Sequence, residues 1–292
     1  MYELFFSAVN THTSIENVCG KLDDAYSVYG TKPNLVFFGW DERLGSGFEH
    51  PNLPESENAY KMLSIRVWRE FSEAMAALGH KNLEEKYYRY AREKMLSLRE
   101  TPNWHHEFGL HAGADAITTG LLTLNEKIAI YERSFTDKVN RISYSPFNQY
   151  FVIQAFASMN KYDEALSSVR DLWGGQLSYG GTTFFEDFRP SWNEVVSKNG
   201  PVPNNQCGFT SLCHPWGAGV TKWLSEEVLG IKPTSPGFRT FEIVPTLHEH
   251  SPMLQERCQL RWAISVQILT SQKEYPEYQH QLEALRGLAF PR

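Results

Sequence analysis

Cysteine and basic residues are both scarce in this chain of 292 residues, and each scarcity excludes a class of protein. The four cysteines contain no C-x-x-C pair, so the sequence indicates neither a zinc site nor a disulfide framework. Lys and Arg together number 28 against 34 Asp and Glu, which gives a formal charge of -6. Nucleic-acid binding requires a basic stripe, so this balance argues against a nucleic-acid partner. We expect no metal and no cofactor.

Long apolar runs are also missing. The longest, such as residues 35–38, are far too short to cross a bilayer, so no membrane partner is expected. The first six residues carry Glu3 where a signal peptide has Lys or Arg, and their apolar run is short. The chain as given therefore predicts neither a signal peptide nor a membrane span, and a cytoplasmic location is the default expectation.

Aromatic residues, in contrast, are abundant, with 18 Phe, 14 Tyr and 8 Trp. Proteins that hold sugars use such side chains, because the C–H face of a pyranose packs on an aromatic ring. An aromatic-rich core explains the same composition, and on composition alone we prefer that explanation.

Apolar residues at helical spacing predict a series of helical hairpins. The expected helices are 56–78, 82–98, 110–122, 125–139, 146–159, 162–172 and 211–229, with a long loop at 173–210. A strand is expected at 238–244, and the tail predicts a strand at 261–269 and a polar helix at 278–288. The fold class is therefore mainly α, a toroid of helical hairpins like an (α/α)6 barrel. It is incomplete, since about eight helices are found where six hairpins need twelve. We expect a partial barrel domain at 1–235 and a strand-containing segment at 236–292.

Two blocks of sequence resemble the bacterial α-L-rhamnosidases of glycoside hydrolase family 78. Residues 170–177 (RDLWGGQL) and 180–188 (GGTTFFEDF) are similar to the family's W-G-G-M-L and G-A-T-T-F-W-E run. Residues 210–219 (TSLCHPWGAG) are similar to its S-L-C-H…W helix, and residues 37–40 (FFGW) to its F-x-D-W loop. The resemblance covers most of residues 35–245. It implies the C-terminal part of a catalytic (α/α)6 barrel that inverts the anomeric centre of L-rhamnose-containing substrates.

Glu186 is the principal candidate for catalysis. It matches the last residue of the family's T-T-F-W-E, and the resemblance implies that it is the general base. The residues themselves agree, because Gly180 and Gly181 permit a tight turn and aromatic neighbours desolvate the acid, which raises its basicity. The alternative is an ordinary surface glutamate.

The general acid is not identified. An inverting glycosidase needs a second carboxyl group about 6.5–9.5 Å from the first. The family's acid lies in a motif like R-E-R-L-G-W-x-G-D, which we expect to lie upstream of this chain. Glu42, in DERLG, is a weak candidate. Its similarity to the motif is better explained by chance, because Ser46, Phe48 and Glu49 stand where the motif has Trp, Gly and Asp. The chain is then a fragment of a longer enzyme, or a truncated relative that has lost one of the two catalytic carboxyl groups.

The resemblance also implies residues that contact the sugar. Asp41 is displaced by one position from the family's Asp, and on a strand such a shift turns a side chain to the other face. Packing is the alternative role for Trp40, Trp173 and Trp192, and a structural role is the alternative for His214. The predicted substrate-binding residues are Trp40, Asp41, Trp173, Trp192, His214 and Trp216.

A histidine-rich run at 105–107, followed by His111, looks like a metal site. Its spacing does not place the side chains on one face of a helix, so no metal is predicted.

Three other functions stay open. A catalytically inactive sugar-binding remnant would keep the aromatic pocket without an acid partner. An unsaturated glucuronyl hydrolase, another α/α-barrel enzyme, would line its pocket with basic residues that read a uronate. A helical-hairpin scaffold for protein partners would have an apolar groove and no buried carboxylate.

Overall fold

The computed structural model describes residues 12–29, 53–195, 210–235, 238–244, 254–259 and 265–270. Three predicted site residues, Trp40, Asp41 and Glu42, lie outside these ranges, as does the predicted helix 278–288. The chain forms two compact units, one of Glu16–Gly219 and one of Val220–Arg292 with Met1–Ile15. The domain boundary expected near residue 235 stays a prediction.

The described chain is mainly helical. Its α-helices are α1 (His12–Ser27), α2 (Pro54–Ala77), α3 (Lys81–Arg99), α4 (Leu110–Thr118), α5 (Leu124–Ser134), α6 (Pro146–Ser158), α7 (Tyr162–Val169), α8 (Gly175–Ser178), α9 (Trp192–Val195) and α10 (Gly219–Trp223). A π-helical turn at Arg170–Gly174 joins α7 to α8, a 3-10 turn at Pro215–Ala218 precedes α10, and a second π-helical turn at Leu224–Val228 follows it.

Helix α2 illustrates why the periodic segments fold as expected. Its apolar stripe of Met62, Ile65, Trp68 and Met75 is wholly buried, and it ends just before Gly79, whose φ of 79° only glycine adopts without strain. Trp68 donates its indole N–H to the Leu22 oxygen of α1 at 3.1 Å. The sequence predicts α2, α3 and α6 to within two residues at each end, whereas it does not predict α1.

Two predicted helices are shorter in the structure. Helix α4 ends at Thr118 because Gly120 adopts a φ of 73°, which leaves the right-handed helical region. Helix α5 ends at Ser134 rather than at 139. The helix predicted at 162–172 instead continues through the π-helical turn to Ser178, inside the predicted loop.

The continuous helix predicted at 211–229 is wrong. His214 is extended, with φ of −126° and ψ of 110°, and helical geometry begins only at Pro215. A residue before proline is pushed out of the helical region, and proline itself fits the first turn because it lacks the N–H that would be unpaired there. Residues 211–214 are therefore free to form a loop, and this loop holds part of the candidate site.

The described strands all follow residue 230. Strand β1 (Ile231–Pro233) pairs antiparallel with β2 (Phe241–Ile243), and β3 (Leu254–Gln259) pairs antiparallel with β4 (Ser265–Thr270). Ile231 faces Ile243 in the first pair and packs with Leu229 into a small apolar cluster. The strand predicted at 238–244 is present at its centre, and the strand predicted at 261–269 overlaps β4, whereas the sequence does not predict β3. Helices followed by strands confirm the predicted class of a mainly α protein with a C-terminal β region.

None of the helices in the described ranges has the length and apolar character that crossing a membrane requires.

Candidate active site

The two blocks that resemble a glycosidase motif lie against each other in the Glu16–Gly219 unit. The Glu186 backbone N–H donates to the Ser211 oxygen at 2.9 Å, and the His214 N–H donates to the Phe184 oxygen at 2.7 Å. The Thr183 hydroxyl also donates to the Leu212 oxygen. Backbone hydrogen bonds thus fix residues 183–186 beside residues 211–214.

The Glu186 carboxylate is anchored on one side and accessible on another. Its Oε2 accepts the Ser211 backbone N–H at 2.7 Å, and the same oxygen lies 3.8 Å from Nδ1 of His214. The Glu186 side chain is 17% exposed and that of His214 is 32% exposed, so water reaches both groups. A fixed carboxylate that contacts water has the arrangement that a general base requires.

Trp216 joins this pair. Its indole N–H donates to the Glu186 backbone oxygen at 3.0 Å, and its ring lies 4.5 Å from the His214 ring, centroid to centroid. On another side the indole stacks on Phe147 at 5.4 Å. The structure therefore brings together Glu186, His214 and Trp216, three of the residues that the sequence predicts as site residues. Their roles stay predictions.

Glycines allow the Glu186 loop to pack this closely. A Cβ added to Gly175 would meet the Phe188 ring at 2.6 Å, and one added to Gly181 would meet the Phe185 ring at 2.8 Å. Gly180 has a φ of 98°, the left-handed conformation that a tight turn needs. One glycine of each pair, Gly175 and Gly181, is thus required by the packing of Phe188 and Phe185, and Gly180 is required by its backbone conformation.

The other two described tryptophans near the loop are buried. Trp173 is 6% exposed and donates its indole N–H to the Gly217 oxygen at 2.9 Å, and Trp192 is 3% exposed with its ring 5.4 Å from that of Phe188. Burial favours the packing alternative for both, in which they hold the Glu186 loop in place.

A cavity of about 230 Å³ lies beside the Trp216 ring. Glu186 is not among the described residues that line it. Trp216 is, and its indole N–H donates to the Glu186 backbone oxygen, so Trp216 connects the Glu186 loop to the cavity. The lining residues are Leu63, His111, Ala114, Asp115, Phe147, Asn148, Phe151 and Trp216.

Asp115 is the acidic residue that lines this cavity, and it is not among the site residues predicted from the sequence. Its Oδ1 accepts Nη1 of Arg66 at 3.2 Å, while Arg66 also donates to Glu70 at 2.7 Å and to Gln154 at 2.8 Å. Burial raises the pKa of Asp115 to about 6, and the Arg66 charge opposes that rise. The available signal was an aspartate within an otherwise apolar helix, HAGADAI.

A second carboxylate fixes the helix that carries Asp115. Glu55, at the start of α2, accepts the backbone N–H groups of Gly109, His111 and Ala112 at 2.6, 2.7 and 3.0 Å. These are the unpaired donors at the beginning of α4, so Glu55 caps α4 from another helix. His111 and Asp115 are four residues apart, on one face of α4, and both line the cavity.

His111 belongs to this wall rather than to a metal site. Its Nε2 lies 3.1 Å from the Ser143 hydroxyl, whereas the His105 ring packs against the rings of His106 and Trp104. Across the described ranges no three His, Cys, Asp or Glu side chains form a group suited to a metal ion.

Comparisons with known proteins give one kind of match. No family model and no curated protein matches the chain. A solved structure does match, that of native α-L-rhamnosidase from Aspergillus terreus, with a TM-score of 0.56 and 16% sequence identity. The match covers 79% of this chain, which spans only 29% of that one. At this identity the likeness shows the fold alone, and it confirms the predicted class of helical toroid.

Proposed function

We propose that this chain is a glycoside hydrolase that removes terminal L-rhamnose from glycosides or polysaccharides, with Glu186 as its general base. One observation carries the proposal. The Glu186 carboxylate is fixed by the Ser211 N–H and lies beside His214, and its backbone oxygen accepts the indole N–H of Trp216, which lines an aromatic-walled cavity.

The reaction assigned to this site is an inverting hydrolysis. Glu186 accepts a proton from a water molecule, whose oxygen forms a bond to the anomeric carbon while the bond to the glycosidic oxygen breaks. The leaving oxygen takes a proton from a general acid, which is not assigned. His214, within 3.8 Å of the carboxylate, is placed to contact the same water or a sugar hydroxyl.

Two independent features support L-rhamnose as the sugar. The fold is similar to that of an enzyme described as an α-L-rhamnosidase, and residues 180–188 and 210–219 resemble the motifs of that class. Each feature alone is weak, since many chemistries share one fold. Together they select the same substrate class.

The test is hydrolysis of an aryl α-L-rhamnoside by the chain and by its Glu186→Gln variant. General acid–base catalysis typically contributes about 10²–10⁴-fold, so the variant is expected to lose at least about 100-fold in kcat. Glu126→Gln is a matched control, because Glu126 pairs with Arg99 and does not line the cavity. Unchanged activity in Glu186→Gln would contradict the assignment of the base.

A sugar-binding protein without catalysis is the second candidate, because no general acid is assigned. It predicts that the unmodified chain binds L-rhamnose but shows no hydrolysis of the aryl rhamnoside.

A further inference from the structure

The Asp115 carboxylate has hydrogen-bonding capacity that the described part of the chain does not use. An ionised carboxylate offers about four acceptor positions, and within the described residues Asp115 accepts a single hydrogen bond, from Arg66. Its side chain is only 6% exposed, and Asp115 lines the cavity. The unused acceptor positions are therefore available to a ligand in the cavity and to little else.

The charge around Asp115 does not favour an anion. Arg66 is hydrogen-bonded to both Glu70 and Asp115, so two carboxylates share one guanidinium. Of the side chains that line the cavity in the described structure, only Asp115 and His111 titrate. A ligand carboxylate placed here would face Asp115, and the described lining offers no arginine or lysine to pair with it. Like charges at close range repel.

The walls and size of the cavity fit one sugar ring. Phe147, Phe151 and Trp216 supply aromatic surface on which the C–H face of a ring packs. The volume of about 230 Å³ lies below the roughly 300 Å³ at which pockets for drug-sized ligands begin. Arg66 is itself held in place, since its guanidinium lies 5.1 Å from the centre of the Phe151 ring.

We infer that Asp115 is a specificity-determining residue, which accepts hydrogen bonds from the hydroxyls of one neutral sugar ring in this cavity and excludes uronic acids. Arg66 is a positioning residue, because it orients the Asp115 carboxylate. The inference deepens the proposed function and rests on it for the identity of the sugar. It also separates this chain from a glucuronyl hydrolase, which needs a basic pocket.

The experiment measures the binding of L-rhamnose and of D-glucuronate to the whole chain by calorimetry or saturation-transfer NMR. The unmodified chain is expected to bind L-rhamnose and to bind D-glucuronate at least about 10-fold more weakly. Asp115→Asn is expected to weaken L-rhamnose binding about 10-fold or more, which is typical of losing a hydrogen bond to a charged group. The same variant should reduce the discrimination against D-glucuronate.

Two further variants make the test specific. Asp171→Asn is the matched control, since Asp171 lies 3.6 Å from Lys138 and does not line the cavity, and it should bind both sugars as the unmodified chain does. Leu63→Trp changes no charge and fills the cavity, so it should abolish L-rhamnose binding. It decides the question if Asp115→Asn fails to fold.

The outcomes separate this inference from the proposed function. Binding of L-rhamnose that depends on Asp115, without hydrolysis of an aryl rhamnoside, would support the inference and reject the hydrolase. Hydrolysis that depends on Glu186 while folded Asp115→Asn and Leu63→Trp bind L-rhamnose normally would overturn the inference and leave the hydrolase standing. A chain that prefers D-glucuronate, or that neither binds nor hydrolyses, would also overturn the inference.

Discussion

The helical unit contains two arginine–carboxylate pairs, and the pKa of the carboxylate is shifted in opposite directions in the two pairs. Arg99 holds Glu126 by two hydrogen bonds, of 2.9 and 2.7 Å, and the backbone N–H of Thr123 adds another of 2.8 Å. The Arg99 hydrogen bonds lower the pKa of Glu126 to about 2. Arg66 holds Asp115 by one bond of 3.2 Å, and burial raises the pKa of Asp115 to about 6.

The difference shows what burial does to a paired acid. At the start of α5 the arginine and the capping N–H favour the charged form more than burial disfavours it. In the cavity burial outweighs one longer hydrogen bond, so keeping the carboxylate there costs stability. Groups with raised or lowered pKa values that lie in a cavity are concentrated at functional sites. This contrast separates a pair that holds helices together from one that is available for binding.

Removing each arginine is expected to give the largest difference between the two pairs in the free energy of unfolding. Arg66→Met leaves the buried Asp115 and the partly buried Glu70 without their shared cation, and breaking a buried pair typically costs about 3–5 kcal/mol. Arg99→Met acts on a pair whose arginine is 30% exposed, so the expected loss in the free energy of unfolding is about 1 kcal/mol. Urea unfolding measures both values. Equal losses would mean that burial does not distinguish the two pairs.

The pH dependence of stability sharpens the same contrast. The pKa of Asp115 is raised from 3.8 to about 6, so its stabilising contribution is complete below about pH 3.8 and is lost as the pH rises through 6. The pKa of Glu126 is lowered from 4.5 to about 2, so its contribution is present above about pH 4.5 and is lost as the pH falls toward 2.

The unmodified chain should therefore lose stability as the pH rises from about 4 to 6, and Asp115→Asn should lack this loss. The unmodified chain should also lose stability as the pH falls below about 4.5, and Glu126→Gln should lack that loss. Thermal unfolding of the two variants and the unmodified chain from pH 2 to 7 measures both slopes. A Glu126→Gln profile that differs only above pH 5, or an Asp115→Asn profile unchanged between pH 4 and 6, would contradict these assignments.

The smallest expected effect concerns the cap beside Glu126. Thr123 accepts the Glu126 N–H at 3.3 Å while Glu126 accepts the Thr123 N–H, which is a capping box. Thr123→Ala should lower the free energy of unfolding by about 1 kcal/mol in a denaturant titration and leave sugar binding unchanged. A change in binding would mean that α5 is coupled to the cavity.

The contrast between the two regions also explains what the sequence could predict. Helix α2 was predictable because its buried stripe recurs within one segment. The neighbourhood of Glu186, His214 and Trp216 is predictable through family-like motifs. The loop at 211–214 is not predictable from apolar spacing, because Pro215 forces His214 out of the helical region.

The Asp115 site was not predictable in this way. Arg66 and Asp115 are 49 positions apart, and a contact of that range leaves no periodic signal in the sequence. Glu55 caps α4 from 54 positions away, so its role is equally hidden from a local pattern. Only the folded arrangement of α2 against α4 shows that Arg66 and Glu55 hold the helix whose Asp115 lines the cavity.

The most direct test of the central claim, that Glu186 activates water, is rescue of Glu186→Ala with azide on an aryl α-L-rhamnoside. The smaller side chain leaves room for the anion, which attacks the anomeric carbon without needing a base. The account predicts that azide restores turnover and yields a rhamnosyl azide of inverted configuration, while Glu126→Ala is active and unaffected by azide. Full activity of Glu186→Ala without azide, or a product of retained configuration, would contradict it.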